Sequence, residues 1–265
     1  MLWLAIFFLV PMGFLGYQSL ESGLFPHFHF TWAFSNFSSA LSGYHTQLVR
    51  SFIYAGIATV ACLVLAYPLV YWIAFRAGPW RNLFLLIIVA PFFVTYLVRT
   101  LAWLNILADQ GPVVRILRDI HVLGPDGRLL ATTFAVVAGI TYNFFPFMAL
   151  PLYVSLEQID GSLLEAAKDL YASPTRAFLR VTLPLSAPGI VAGTLLTFIP
   201  AAGDFINAAL LGTPNQAMIG NVIQAKFLES LDYPTAASLS FILMGTILIA
   251  LLVYARIVGP EKLTG

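Results

Sequence analysis

Two ionisable side chains stand where an ionisable group is costly. Asp204 sits in the apolar run Phe198-Ile-Pro-Ala-Ala-Gly-Asp-Phe-Ile-Asn207, and Arg99 in Tyr96-Leu-Val-Arg-Thr100. A charge at membrane depth costs roughly 2.5–3.5 kcal/mol on insertion scales, so each marks a site or needs a partner. Two readings stay open: the pair faces a pathway, or Asp204 and Arg99, with nearby backbone carbonyls, satisfy each other. Pro200 and Gly203 loosen the helix at Asp204, and a broken helix is tolerated in lipid where it lines a cavity or packs on protein. Asn143 and Asn207 are further polar groups inside apolar runs.

Other chemistries lack their residues. His27, His29, His45 and His121 all fall in expected loops, and His27-Phe-His29 could bind a metal on a strand, but no cysteine or carboxylate cluster accompanies it. No metal site is expected, and no catalytic constellation: G-x-S-x-G and H-E-x-x-H are absent. The lysines are Lys168, Lys226 and Lys262, and none follows a glycine, so there is no phosphate loop for ATP. If the chain does active work, another subunit supplies the energy.

The elements that carry these residues are apolar. Of 265 residues 60% are hydrophobic and 9% charged, and mean hydropathy is +0.88, against about 25% charged in soluble domains. Water cannot solvate such a surface, and disorder is excluded on the same grounds. A net charge of +1 provides no field for nucleic acid. Cys62, the single cysteine, lies in an apolar run and forms no internal disulfide. A spanning helix needs about 20 mostly apolar residues. Six stretches qualify, near residues 1–20, 48–74, 83–107, 130–154, 190–211 and 236–257. The expected fold is therefore an all-α polytopic membrane protein, one transmembrane domain over residues 1–265. The first stretch has no basic flank and no small-residue cleavage pattern, so it reads as a retained span. The positive-inside count divides the 13 basic residues almost evenly and leaves orientation open.

Two loops are patterned. Between residues 109 and 128, Val113, Ile116, Leu117 and Ile120 recur at helical spacing with Arg115, Arg118 and Asp119 between them, which predicts a short helix at the membrane surface. Residues 155–187 form the most charged part of the chain. There Ser162-Leu-Leu-Glu165 reads as a capping box that starts a helix. Ser173-Pro174 reads as an N-cap with proline at the first helical position of a second helix, which Pro184 and Pro188 end.

This loop, Glu165-Ala-Ala-Lys-Asp-Leu-Tyr-Ala-Ser-Pro174 and onward to Ile190, resembles the EAA loop of permease subunits of bacterial ABC importers. Leu97–Trp103, Asn143–Pro151, Gly203-Asp204-Phe205, Leu211–Asn215 and Met218–Gln224 look like the spermidine/putrescine branch of that family. The resemblance implies a type I importer permease fold in the bacterial cytoplasmic (inner) membrane, with the loop on the cytoplasmic side. It implies as partners a second permease subunit, two ATPase subunits and an extracytoplasmic binding protein. ATP and Mg would belong to the ATPases, with no cofactor on this chain. Glu165, Ala166, Ala167, Asp169, Leu170, Tyr171, Ala172, Ser173 and Pro174 would then couple the loop to the ATPase, and Asp204, Asn143, Tyr142, Asn207 and Arg99 would line the substrate pathway. A polyamine suits a carboxylate with aromatic faces such as Tyr67, Tyr96, Trp103 and Phe144 around it. Ferric ion, sulfate-type anions, phosphonates and sugars are the alternative substrates within the class, and a stand-alone secondary transporter is the alternative outside it. The sequence departs from the family in two places: Tyr171 stands at the loop turn where glycine is usual, and the chain starts inside its first span without a basic lead.

Overall fold

The computed structural model describes Trp3 and residues 5–258; Met1, Leu2, Leu4 and the segment with Lys262 lie outside the described residues. Helix α1 (Val10–Ser19) follows a π-turn at Ala5–Leu9. A hairpin of β1 (Glu21–Leu24) and β2 (His27–Phe30) comes next, with Glu21 opposite Phe30 and Leu24 opposite His27. Helix α2 (Ser35–Arg76) is kinked at Tyr44, and α3 (Arg81–Val89) and α4 (Tyr96–Leu107) flank a break. The surface helix α5 (Pro112–Asp119) precedes α6 (Thr133–Glu157). The charged loop holds α7 (Gly161–Asp169) and α8 (Pro174–Ala177). Beyond them come α9 (Ala187–Ala202), α10 (Ile206–Leu211), α11 (Ile219–Gln224) and α12 (Tyr233–Val258).

Among the described residues the six apolar stretches are not all continuous spans. Three helices among the described residues are long and apolar enough to cross a membrane: Ser35–Arg76, Thr133–Glu157 and Tyr233–Arg256. Two bent pairs could each make one more, Gly78–Phe93 with Tyr96–Asp119 at 97° and Pro174–Leu185 with Ala187–Ala202 at 62°. The first stretch is a shorter apolar helix, Ile6–Ser19. Proline explains the bend inside residues 83–107: Pro91 lacks an N–H, and the chain leaves the helix through a 3₁₀ turn at Ala90–Phe93 into extended Val94 and Thr95. The hairpin is an addition to the all-α expectation, and His27 and His29 share its exposed side. Among the described residues no group of three His, Cys, Asp or Glu side chains could hold a metal.

The core is where α2, α6 and α9 meet. Cys62, Ala66, Val70, Met148, Leu152 and Leu156 form one buried cluster; Ala55, Ala58, Val136, Ile140, Leu211 and Met218 belong to a second. Small residues let the helices approach, as is usual in membranes: a Cβ added at Gly193 would stand 2.8 Å from Met148 Sδ. Large apolar side chains such as Phe14, Ile87, Leu248 and Leu252 remain exposed on the outside, the arrangement a bilayer requires. The expected helix at residues 109–128 is α5, where Val114 is fully buried and Ile116 and Ile120 stay exposed. Arg118 ties it down by donating to the carbonyls of Asp109 (2.9 Å) and Gly127 (3.1 Å), the behaviour of a structural cover.

Candidate functional site

Asp204 stands in the break between α9 and α10, and it is only 6% exposed. Its amide closes α9 on the Ala201 carbonyl at 3.2 Å. Its Oδ1 accepts the Asn207 amide at 2.9 Å, an orphan donor in the first turn of α10, as a capping carboxylate does. Its Oδ2 accepts Asn207 Nδ2 at 3.1 Å and also the Tyr96 hydroxyl. That hydroxyl in turn accepts from Asn207 Nδ2 at 2.5 Å.

The network continues into α6 and α4. Asn143 Nδ2 donates to Asn207 Oδ1 and to Thr100 Oγ1, each at 3.2 Å, and the Thr100 hydroxyl donates to the Tyr96 carbonyl at 3.1 Å. Tyr96, Arg99 and Thr100 share one face of α4, since residues three and four apart stack along a helix. Gly139 leaves room for the meeting, because a Cβ there would stand 2.6 Å from Asn207 Oδ1. From the far side Asn221 Nδ2 donates to the Phe205 carbonyl at 2.7 Å. The broken helix is thus packed on protein, as its polar backbone demands in lipid.

Arg99 is near this network and not in it. It is 7% exposed, and its guanidinium carbon lies 5.0 Å from the Phe92 ring centre and 5.5 Å from that of Tyr96. Nε and Nη1 have no hydrogen-bond partner, and among the described residues no ion pair joins Arg99 to Asp204. The mutual pairing weighed from the sequence is corrected here: Tyr96 serves both groups, its hydroxyl on the carboxylate and its ring face toward the cation. Tyr142 does not join either. It is turned about 100° round α6 from Asn143 and packs against Trp103 at 5.4 Å over an apolar groove of about 530 Å³ shared with Ile57 and Phe134. Tyr67 lies elsewhere, with its hydroxyl 2.7 Å from Ser186 Oγ. Thr100 is the member that sequence reasoning missed, and its spacing of four from Tyr96 was the available signal.

The charged loop folds as two short helices, with one start displaced. Helix α7 begins at Gly161, and the Asp160 carboxylate, rather than the Glu165 side chain, takes the Ser162 amide at 2.9 Å. The expected Ser162–Glu165 box is therefore corrected: Asp160 precedes Ser162 and is as good a cap, and Gly161 lets the helix start earlier. The same bond holds the Asp160 carboxyl below the usual carboxylate range. Glu165 is left exposed. At the far end the Ala172 amide reaches back to the Ala167 carbonyl at 3.0 Å around Tyr171, which has φ +55°, a Schellman closure with a tyrosine in the glycine position. Leu170 and Tyr171 project at 81% and 96% exposure, whereas Ala167 is turned inward at 9%. Ala166 and Asp169 are exposed and Ala172 half-buried. Ser173 caps α8 by accepting the Arg176 amide at 3.4 Å, with Pro174 at the first position, as expected. Between this loop and the Arg76 end of α2 lies a cavity of about 360 Å³.

Residues 38–258 match the family model described as binding-protein-dependent transport system inner membrane component. The spermidine/putrescine transport system permease protein PotB of Haemophilus influenzae is 37% identical over 95% of this chain and 88% of that protein. PotB of Escherichia coli K12 is 36% identical over 96% of this chain and 93% of that protein. Among solved structures, a chain of a bacterial ABC transporter involved in alginate import superposes with TM-score 0.76 at 17% identity, covering 100% of this chain and 93% of that one. A chain of the MetNI methionine ABC transporter gives TM-score 0.62 at 15% identity over 83% of this chain and 95% of that one. The polytopic apolar helices, the folded charged loop and these likenesses agree: the chain belongs to the binding-protein-dependent transport system inner membrane components, and is a multi-pass permease subunit of an ABC importer rather than an enzyme.

Proposed function

We propose that the chain forms half of the translocation pathway of an ATP-driven importer of polyamines, spermidine or putrescine. One observation carries this reading: relatives named as spermidine/putrescine permeases align with nearly the whole chain, 95% of it for the Haemophilus influenzae protein. Its partners are a second permease, two ATPase subunits that hold ATP and Mg, and an extracytoplasmic binding protein in a bacterial inner membrane. Residues 155–187 form the cytoplasmic coupling loop, whose Glu165–Pro174 segment meets the ATPase. ATP binding closes the ATPases, the loop moves with them, and the cavity between the permeases turns outward.

The chemistry at Asp204 suits such a cargo. A carboxylate offers about four acceptor positions, and Tyr96 and Asn207 occupy two on Oδ2 and one on Oδ1. The position left on Oδ1 takes an ammonium without undoing the cap of α10. Asn207, itself held by Asn143, keeps the carboxylate in place.

The test is uptake of labelled spermidine into proteoliposomes holding the assembled complex, with binding protein outside and ATP inside. Spermidine accumulates and unlabelled putrescine competes, while sulfate, ferric ion and sugars do not. Uptake that any of these suppresses, with spermidine left outside, would overturn the substrate assignment.

A further inference from the structure

We infer that the end of the chain remote from the coupling loop carries a second cation site, an aromatic cage for an alkylammonium group. Helix α2 fixes the placement, since its Arg76 end borders the cavity under the loop and its Ser35 end meets the hairpin. A cavity of about 330 Å³ opens at that end, lined by Tyr17 and Gln18 of α1, Glu21, Phe25 and Phe28 of the hairpin, and Tyr233 of α12. The rings do not stack into a closed core. Tyr233 has its centre 6.3 Å from Phe25 at 85° and 5.6 Å from Phe28 at 49°, so faces and edges wall a hollow. Among the described residues the Glu21 carboxylate has no ion-pair partner.

The walls are held before any ligand arrives. Asn36 Nδ2 donates to the carbonyls of Ser19 (3.0 Å) and Glu21 (2.8 Å), joining α1, β1 and α2. Ser238 Oγ donates to the Ser19 carbonyl at 3.3 Å and brings α12 to the same point. Tyr17 is fixed by stacking on Phe30 at 4.8 Å. Lys226, next to the Phe227 ring that touches Tyr233, is occupied by Asp232 at 3.1 Å. A rigid hollow of ring faces with one unpaired carboxylate recognises a primary or substituted ammonium: the rings attract the cation and the carboxylate accepts charge-assisted hydrogen bonds. An anion gains nothing there, and a neutral sugar lacks the positive charge that strengthens contact with both the rings and the carboxylate.

Two sources carry that chemistry, a free polyamine and the ethanolamine headgroup of a membrane lipid. The polyamine source rests on the proposed function; the cage itself does not. The experiment uses the assembled transporter in nanodiscs of phosphatidylglycerol alone, a photoactivatable spermidine analogue, and mass mapping of the labelled peptides. Label is expected on the peptides containing residues 17–28 and Tyr233, falling roughly five- to thirtyfold in Glu21→Gln and in Phe25→Leu. Phe25 is 54% exposed, so its replacement keeps the fold. Label that stays on those peptides at full strength in both variants, or never reaches them, overturns the cage. Repeating the labelling with phosphatidylethanolamine in the disc separates the sources: suppression assigns the cage to the lipid headgroup, and undiminished label assigns it to the polyamine. Spermidine uptake measured in parallel keeps the two readings apart, since a cage that labels in a complex that takes up no spermidine sinks only the proposed function.

Discussion

Tyr96, the first residue of α4, donates its hydroxyl to the carboxylate of Asp204, 108 positions further along the chain. The bond joins two breaks of the membrane domain, one after Pro91 and one after Gly203. Each break frees backbone groups that a continuous helix would pair, and the side chains at the breaks pair with each other.

Asp204→Asn is therefore expected to keep folded yield and basal ATP turnover and to weaken uptake, since the shape remains and the charge goes. A loss of about 1–3 kcal/mol, roughly five- to a hundredfold, fits a partly desolvated charge-assisted bond. A double-mutant cycle assigns the partner. Tyr96→Phe and Asp204→Asn couple by about 1 kcal/mol, whereas Arg99→Gln with Asp204→Asn is additive. Recovery of Asp204→Asn by Arg99→Gln would mean that the two charges pair directly.

Asp204 is a case of how far the sequence reaches. A carboxylate in an apolar run is visible in one dimension, and Pro200 with Gly203 announces the break. Its partner is not visible, because an ion pair with Arg99 and a phenol bond with Tyr96 differ by three residues on α4, less than one turn, and only the packed orientation of that helix decides. The start of α7 shows the same limit at shorter range: Asp160 and Ser162 are both cap formers, and the earlier one takes the amide. Tyr142 and Asn143 are neighbours in sequence and lie on different sides of α6, a separation that periodicity gives only once one side is known to be core. The hairpin escaped because its turn, Phe25-Pro26, carries none of the Asn-Gly or Asp-Gly signals.

The strain at Tyr171 is testable by removing it. A residue with a Cβ in the left-handed region costs about 1–2 kcal/mol, and the 96% exposed Tyr171 side chain gains no packing in return. Tyr171→Gly is expected to slow amide exchange across residues 163–172, with Tyr171→Ala showing no such gain. Faster exchange in the glycine variant would place the turn in another conformation.

The displaced cap predicts a contrast between neighbours. Asp160→Ala frays the first turn of α7, and Ser162→Ala does not, as read by exchange of the Ser162 and Leu163 amides. The pH dependence has a definite sign. The folded-state value lies below the ordinary 3.8, so the contribution is full above that pH and fades as pH falls through the lowered value. Protection that instead fades on raising the pH would remove Asp160 from the cap.

The loop tip gives the last test. Leu170 and Tyr171 project into solvent and Ala167 faces the protein, so a partner that docks on the tip meets the first two. Cys62 is fully buried, which leaves an introduced cysteine as the reactive thiol. Leu170→Cys, treated with a cysteine-to-amine cross-linker, is expected to join the ATPase subunit, and Ala167→Cys to react poorly. Because Asp160 rather than Ser162 starts α7, exposed Glu165 has no capping duty to mask its role. Glu165→Gln should leave α7 intact by amide exchange, and any fall in transport per ATP hydrolysed then measures its contact with the partner. Cross-links at Ala167 with none at Leu170 would put the docking face on the other side of the helix.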